Sequence, residues 1–288
     1  LATGSEERGG DVGVKWILRE HPELASRFWA TLTEGGVLES RASDDLKYWG
    51  TEFAQRRQAV VKICSPRRER LEELRGGLFE HALETRPELG EQADAFLRAY
   101  APSREARALR SLLSNPSALV RTPNALEELP LPLHGILSSR CYPQEPVASS
   151  GGGFEMTVQC LLLADRELAP ILTELLPEWL IHGLWYTVRE VSAQNAGSPL
   201  DHPLYRALQE ELLRSFPDGD RGPWMQGSSS VTDARFFRPS GIPTYGFSPF
   251  PFLVTDTMRV GEVNEHVSVR AFVRGTELYR RLVARLAG

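Results

Sequence analysis

Two adjacent acids near the start of the chain and a third further along are the first candidates for chemistry. Glu6 and Glu7 precede two glycines, and Glu34 lies within Thr33-Glu34-Gly35-Gly36. Neighbouring side chains at the end of a strand point in different directions, so one carboxylate can bind a metal ion while the other faces a substrate. Amide hydrolysis needs such a pair, because the ion activates a water and the base removes its proton. The alternative at both places is an exposed acid in a tight turn.

A segment near residue 230 has the residue types of an anion-binding site. Small hydroxyl residues, Ser228 to Ser230, lead to Thr232 and Asp233 at the expected start of a helix. We expect Asp233 to cap that helix and leave backbone amides free to bind an anion, while Arg235 holds a substrate carboxylate in a bidentate pair. The alternative is a structural cap with an Arg–Asp pair at the surface.

Composition and cysteine spacing exclude several classes of partner. The net charge is −5 with acids and bases interspersed, so the chain lacks the concentrated basic face of a nucleic-acid-binding protein. Its apolar runs are too short to span a membrane. The three cysteines, Cys64, Cys141 and Cys160, are far apart and odd in number. This spacing indicates neither a zinc ribbon nor a disulfide framework, and the expected location is a reducing cytoplasm.

The elements that must position these residues follow an α/β order at both ends of the chain. Leu1–Thr3 is typical of the end of a buried strand, Asp11 of the cap of a helix that Pro22 ends, and Phe28–Leu32 of a second strand. Acidic loops after strands are typical of an α/β sheet with its chemistry at the strand ends. The same order returns near residue 195, with helices predicted at Pro203–Ser215 and Val269–Ala287.

The middle of the chain has a different order of elements. Its predicted strands are 58–64, 133–141, 154–163 and 184–191, and its predicted helices are 67–78 and 166–181. Apart from a polar helical insertion at about 79–126, the order is β-α-β-β-α-β, the split βαβ or ferredoxin-like arrangement. The predicted fold class is therefore α/β, with a catalytic sheet domain at 1–57 and 195–288 that is interrupted by a domain at 58–194.

Four strings occur in the order found in one enzyme family. They are SEERGG, TEGG, TDARFFRPSGIPTYGFSP and VNEHV. On these strings, and over nearly its whole length, the sequence resembles the zinc metallopeptidases that include aminoacylase, yeast carboxypeptidase S, the fatty-acyl amino acid hydrolases and the desuccinylases. The resemblance implies a catalytic domain interrupted by a lid domain that commonly dimerises. It also implies cleavage of an amide bond in an N-acyl amino acid or small peptide with a free carboxylate.

The resemblance also assigns roles by position. Glu6 matches the general base, Glu7 a zinc ligand and Glu34 the next ligand of a site that holds two zinc ions in the intact family. The residues matched to the substrate pocket and the late motif are Thr232, Asp233, Arg235 and Asn264. The implied assembly is a homodimer formed through the lid.

The chain departs from the family at several ligand positions. The first ligands, a His in an HxD motif and a bridging Asp, belong upstream of the acidic pair, and the chain begins too late to contain them. Gly261 stands where the late motif has a metal His, and Glu262 and His266 are the nearby donors. In the lid, Cys64–Arg67 replaces the turn that carries a family His, and His134 is the nearby lid alternative.

These departures predict that zinc binds weakly or not at all. Zinc sites need three or four protein ligands, and Glu7 and Glu34 supply two. Because the chain opens without Met and inside a motif, we expect it to be a fragment of a longer hydrolase. The alternative is a non-catalytic homologue that keeps the fold for binding or dimerisation.

Overall fold

The structure is a computed structural model. It describes residues 13–42, 45–80, 85–122, 129, 131–190, 192–195, 197–227, 232–251 and 262–287. The predicted strand Leu1–Thr3, the acidic pair Glu6-Glu7, Asp11, Ser228 to Ser230 and Gly261 lie outside these ranges. Within them, no helix combines the length and the apolar character that crossing a bilayer would require.

Groups of strands and groups of helices follow one another along the described chain. The strands are β1 (Thr31–Thr33), β2 (Val37–Ala42), β3 (Asp45–Gln55), β4 (Arg57–Ser65), β5 (Arg140–Pro143), β6 (Val147–Ala148), β7 (Phe154–Leu162), β8 (Trp185–Glu190), β9 (Asp220–Gln226) and β10 (Thr244–Gly246). The helices are α1 (Val14–Glu20), α2 (Pro22–Ala25), α3 (Arg68–Glu80), α4 (Glu91–Tyr100), α5 (Arg107–Ser114), α6 (Pro116–Arg121), α7 (Leu131–His134), α8 (Leu168–Leu175), α9 (Glu178–Ile181), α10 (Pro203–Ser215), α11 (Ala234–Phe237) and α12 (Val269–Ala287).

The first sheet joins strands from both ends of the chain in the order β1-β10-β3-β2, with β9 also paired to β3. β1 runs parallel to β10 and β3 runs parallel to β9, whereas β2 and β10 are antiparallel to β3. Residues 48 to 55 of β3 are buried on both faces. This central strand therefore pairs with the adjacent β2 and with β9 and β10 from the last third of the chain.

Helices pack on the first sheet, and side chains from the helices and the strands together form its core. α10 and α12 pack together, and α4 packs on β9. Phe96 and Tyr100 of α4 make edge-on contacts with Trp224 of β9. The helical stretch that the sequence analysis places inside the middle domain thus adds buried side chains to the core of the first sheet. The domain boundaries at 58 and 195 remain predictions.

The second sheet has the order β5-β7-β4-β8, with the short β6 paired to β7. Its pairs are antiparallel. The buried side chains of β4 alternate with less buried ones, because one face of the strand packs on the core beneath α3 and α8. The predicted α/β fold class is confirmed, with two sheets and flanking helices. The role of the second sheet as a lid remains a prediction.

Several local predictions differ from the structure. The strand predicted at 133–141 is wrong, because α7 occupies Leu131–His134 and β5 begins only at Arg140. Pro132 favours the first turn of a helix, which outweighs the apolar run around it. The strand predicted at Phe28–Leu32 begins later, at Thr31, and the helix predicted at 166–181 is two helices separated by Leu176 and Pro177. The first helix ends at Glu20, and Pro22 is the first residue of a second helix, α2.

The expectation that the cysteines form no disulfide is wrong. Cys141 and Cys160 are bonded to each other, and both are fully buried. They lie directly opposite each other on the antiparallel strands β5 and β7, which brings their side chains together although 19 residues separate them. Cys64 is a free, partly buried thiol. The sequence spacing does not reveal the pair because the strand register creates it.

A single residue, Arg56, separates β3 of the first sheet from β4 of the second. Its backbone N–H donates to Gln226, and its guanidinium donates to the carbonyl oxygens of Gly227, Ser138 and Leu161. Burial lowers the pKa of Arg56 to about 10. One side chain therefore binds to segments of both sheets at their junction.

Candidate functional site

Glu34 lies directly after β1, in the turn that leads to β2, and its side chain is exposed. One carboxylate oxygen accepts a hydrogen bond from the backbone N–H of Asp233, at 3.1 Å. The other accepts from the hydroxyl of Thr33. The carboxylate of Glu34 is thus held at a strand end by donors from two segments.

The two glycines after Glu34 are required by the turn. Gly35 and Gly36 have φ values of 119° and 77°, which side-chain-bearing residues rarely adopt. A Cβ atom on Gly35 would overlap with Oε2 of Glu52, and one on Gly36 would lie 2.6 Å from the carbonyl oxygen of Gly50. The turn therefore packs closely against the central strand β3.

A buried ion pair lies beneath this turn. Glu52 of β3 and Arg238, which follows α11, are both buried, with Nη2 of Arg238 at 3.2 Å from Oε1 of Glu52. Burial raises the pKa of Glu52, and the positive charge of Arg238 opposes that shift. Burial likewise lowers the pKa of Arg238, against the effect of the carboxylate. Arg238 also donates to the carbonyl oxygen of Thr244 on β10.

Thr232 connects the ion pair to the loop that holds Glu34. Its hydroxyl donates to Oε1 of Glu52 at 3.1 Å. Its backbone N–H donates to Oε1 of Gln55, and its carbonyl oxygen accepts from Nε2 of the same side chain. Of the predicted site residues, Glu34, Thr232 and Asp233 are therefore brought together.

The predicted helix cap at Asp233 is wrong. The helix after it, α11, has four residues, and the Asp233 side chain makes no capping hydrogen bond. The backbone N–H of Asp233 instead binds Glu34. Arg235 is 1% exposed, with its guanidinium over the ring of Phe236 at 4.6 Å. Its predicted contact with a substrate carboxylate is untested.

Asn264 lies in an exposed loop before α12, with φ of 70°. Its carbonyl oxygen lies 2.8 Å from Nδ1 of His266, which is also exposed. Among the described residues, Thr33 and Asp233 donate hydrogen bonds to the Glu34 carboxylate, and Asn264 is not one of these donors. His134, the nearby lid alternative, contacts the carbonyl oxygen of Leu129.

The described residues do not by themselves fit a zinc site. They contain no group of three His, Cys, Asp or Glu side chains placed to hold a metal ion. Zinc takes three or four protein ligands, and Glu34 is the one predicted ligand that the structure describes. Glu6 and Glu7 lie outside the described residues, so their roles remain predictions.

Sequence reasoning missed Glu52, Gln55 and Arg238. The first two were missed because β3 was not predicted. Arg238 stands in the string TDARFFRPSGIPTYGFSP, which carries the resemblance, yet no role was assigned to it. A signal existed in the aromatic and β-branched residues Tyr48, Trp49, Thr51 and Phe53, which are types enriched in strands.

Comparisons with known proteins point to one family of peptidases. The profile of peptidase family M20/M25/M40 matches residues 1–285. Aminoacylase-1A and aminoacylase-1B of Rattus norvegicus are each 34% identical over 93 residues, which is 26% of this chain and 21% of each of those proteins. The alignment thus spans about a fifth of these curated relatives.

A solved structure agrees with the fold. The M20 family metallo-carboxypeptidase Sso-CP2 from Sulfolobus solfataricus has a TM-score of 0.57 and 8% identity, over 96% of this chain and 68% of that chain. At this identity the likeness concerns the fold alone. The match of a family profile to nearly every residue is the stronger finding, and from it the chain belongs to peptidase family M20/M25/M40.

Proposed function

We propose that this chain is part of a hydrolase that cleaves the amide bond of an N-acyl amino acid or small peptide with a free carboxylate. The family and the aminoacylase relatives support a hydrolase. The observation that carries the finer proposal is the hydrogen bond from Asp233 to Glu34. It joins two strings, TEGG and TDAR, which lie 199 residues apart and which the resemblance assigns to the metal and substrate sites.

The proposed roles follow the sequence prediction. Glu6 is the general base, and Glu7 and Glu34 are zinc ligands. The substrate-binding residues are Thr232, Asp233, Arg235 and Asn264. Arg235 supplies the positive charge that a free carboxylate needs, although its guanidinium must become accessible to do so. Glu34 is the one predicted zinc ligand among the described residues, so these roles include no catalytic step on a zinc ion.

The test is a set of N-acetyl amino acids assayed with and without added zinc. Release of the free amine should require a free carboxylate, so the matching methyl esters should react at least about tenfold more slowly, a loss typical of an unpaired charged contact. Glu34→Gln should reduce both amine release and bound zinc. Glu23→Gln, at an exposed acid of α2, is the matched control and should change neither.

The alternative is a non-catalytic homologue, and the same assay separates it from the enzyme. N-acetyl amino acids that bind with no amine release, in the presence of zinc, would favour the alternative. Absence of both binding and release would overturn the enzyme and the binding role, and would leave dimerisation as the alternative.

We further propose that the chain forms a homodimer through the second sheet. In the described part of the chain β8 is an edge strand, and its Trp185 is 72% exposed, with Tyr186 and Val188 also exposed. An exposed apolar edge strand favours pairing with a second copy. Trp185→Lys should shift the mass in solution from dimer to monomer, measured by light scattering, while Phe79→Lys, on α3, should not. A wild-type monomer at high concentration would refute the dimer.

A further inference from the structure

Two buried polar side chains on β3 hold the loop beside Glu34. The amide of Gln55 accepts from the backbone N–H of Thr232 at 2.8 Å and donates to its carbonyl oxygen at 3.3 Å. One side chain therefore satisfies both backbone groups of Thr232, as a neighbouring strand would. Gln55 is fully buried, so water does not compete for these bonds.

Glu52 holds the side chain of the same threonine. Oε1 of Glu52 accepts from Oγ1 of Thr232 and from both terminal nitrogens of Arg238, at 3.1 to 3.2 Å. The charge-assisted bonds from Arg238 fix the carboxylate in one orientation. Thr232 is thus bound at its hydroxyl, its N–H and its carbonyl oxygen by two residues of one strand.

Two separate paths lead from these residues to Glu34. Through the first, the fixed Thr232 places the N–H of Asp233 at 3.1 Å from Oε1 of Glu34. Through the second, Oε2 of Glu52 packs on Gly35, the residue that follows Glu34, so closely that a Cβ atom there would overlap with it. Both the hydrogen-bond donor and the backbone of Glu34 therefore depend on the position of Glu52 and Gln55.

We propose that Glu52 and Gln55 are positioning residues that set the orientation of the Glu34 carboxylate through Thr232 and Asp233. Both act through the backbone N–H of Asp233, and Glu52 also acts through its close packing on Gly35. The inference rests on the proposed function, because that function makes Glu34 a zinc ligand. Its test follows the Asp233 amide that binds Glu34, and not turnover, so the two proposals can fail independently.

The test is hydrogen exchange at the Asp233 amide, measured by NMR in the whole chain. Gln55→Leu and Thr232→Val should each speed this exchange by about tenfold, since each removes hydrogen bonds that fix Thr232. Thr232→Ser keeps the hydroxyl and should restore the wild-type rate. Amides of β7 in the second sheet should keep their rates in every variant.

Gln209→Leu is the matched control, because it removes a glutamine that binds another residue of β3, Thr51, at 3.0 Å. It should leave the Asp233 amide unchanged. A second readout is the amide proton shift of Asp233, which Glu34→Gln should move upfield by removing the charged acceptor. That displacement should be smaller in Gln55→Leu, where the amide no longer points at Glu34.

Two results would overturn the proposal. One is an unchanged Asp233 amide in both Gln55→Leu and Thr232→Val. The other is a uniform increase in exchange across β3 and β7, which would mean that these residues only stabilise the fold. If Gln55→Leu does not fold, the Thr232→Val and Thr232→Ser pair decides the matter alone.

Discussion

The two sheets bury different kinds of side chain. The first encloses a charged pair and amides at the meeting point of β1, β3 and β10, whereas the inner face of the second is lined by residues such as Ala59, Val61, Met156 and Val158. Burying polar groups costs free energy unless each has a hydrogen-bond partner. A cluster of buried polar groups is therefore expected where those groups have a function. The contrast favours the first sheet as the place of the proposed chemistry, whereas the described core of the second sheet is mainly apolar.

The largest expected effect is at the buried ion pair of the first sheet. Arg238→Met leaves Glu52 buried without its cation, and the free energy of unfolding should fall by about 3–5 kcal/mol in urea titrations. Arg68→Met, at an exposed pair with Glu72, should cause no measurable change. If the two substitutions lowered the free energy of unfolding equally, the buried ion pair would be no more important to stability than the exposed one.

The next effect should come from the second sheet. Replacing both Cys141 and Cys160 with Ala should lower the free energy of unfolding by about 3 kcal/mol, because the bond restrains a loop of moderate length in the unfolded chain. Cys64→Ala should leave stability nearly unchanged. The exchange rate of the Asp233 amide should be the same in both variants. An altered rate at Asp233 would mean that the second sheet shapes the site.

The smallest effect should be the pH dependence due to Glu52. Burial raises the pKa of Glu52 in the folded protein, so between the unfolded and folded pKa values the folded state binds more protons than the unfolded state. The contribution of Glu52 to stability should therefore fall as pH rises from the unfolded pKa towards the folded one. The free energy of unfolding of wild type relative to Glu52→Gln should decrease over that window. A difference that rises with pH would show that Arg238 outweighs burial.

Much of the fold could be predicted because it depends on local pattern. The helices at Pro203–Ser215 and Val269–Ala287 were predicted with their observed bounds, since their apolar residues recur at helical spacing. The strand predicted at 154–163 is observed at Phe154–Leu162, where apolar and polar residues mostly alternate. In contrast, β3 and β9 were missed, because Gly50, Glu52, Gly222 and Pro223 interrupt the apolar pattern that marks a strand.

The site could be predicted only in part for a related reason. Glu34, Thr232 and Asp233 stand in recognisable strings, and the structure brings them together. Glu52 and Gln55 carry no such local mark, and their importance arises from strand register and long-range contact. The disulfide follows the same rule, since pairing between β5 and β7 decides which cysteines meet.

The lone residue between β3 and β4 limits how the molecule can move. Rotation of one sheet against the other at this point would change the backbone angles of Arg56. It would also break the hydrogen bonds from the Arg56 guanidinium to carbonyl oxygens. Hinges generally occur where backbone dihedral angles can change freely, whereas hydrogen bonds restrain Arg56. Arg56 is therefore expected to resist rotation of one sheet against the other at this crossing.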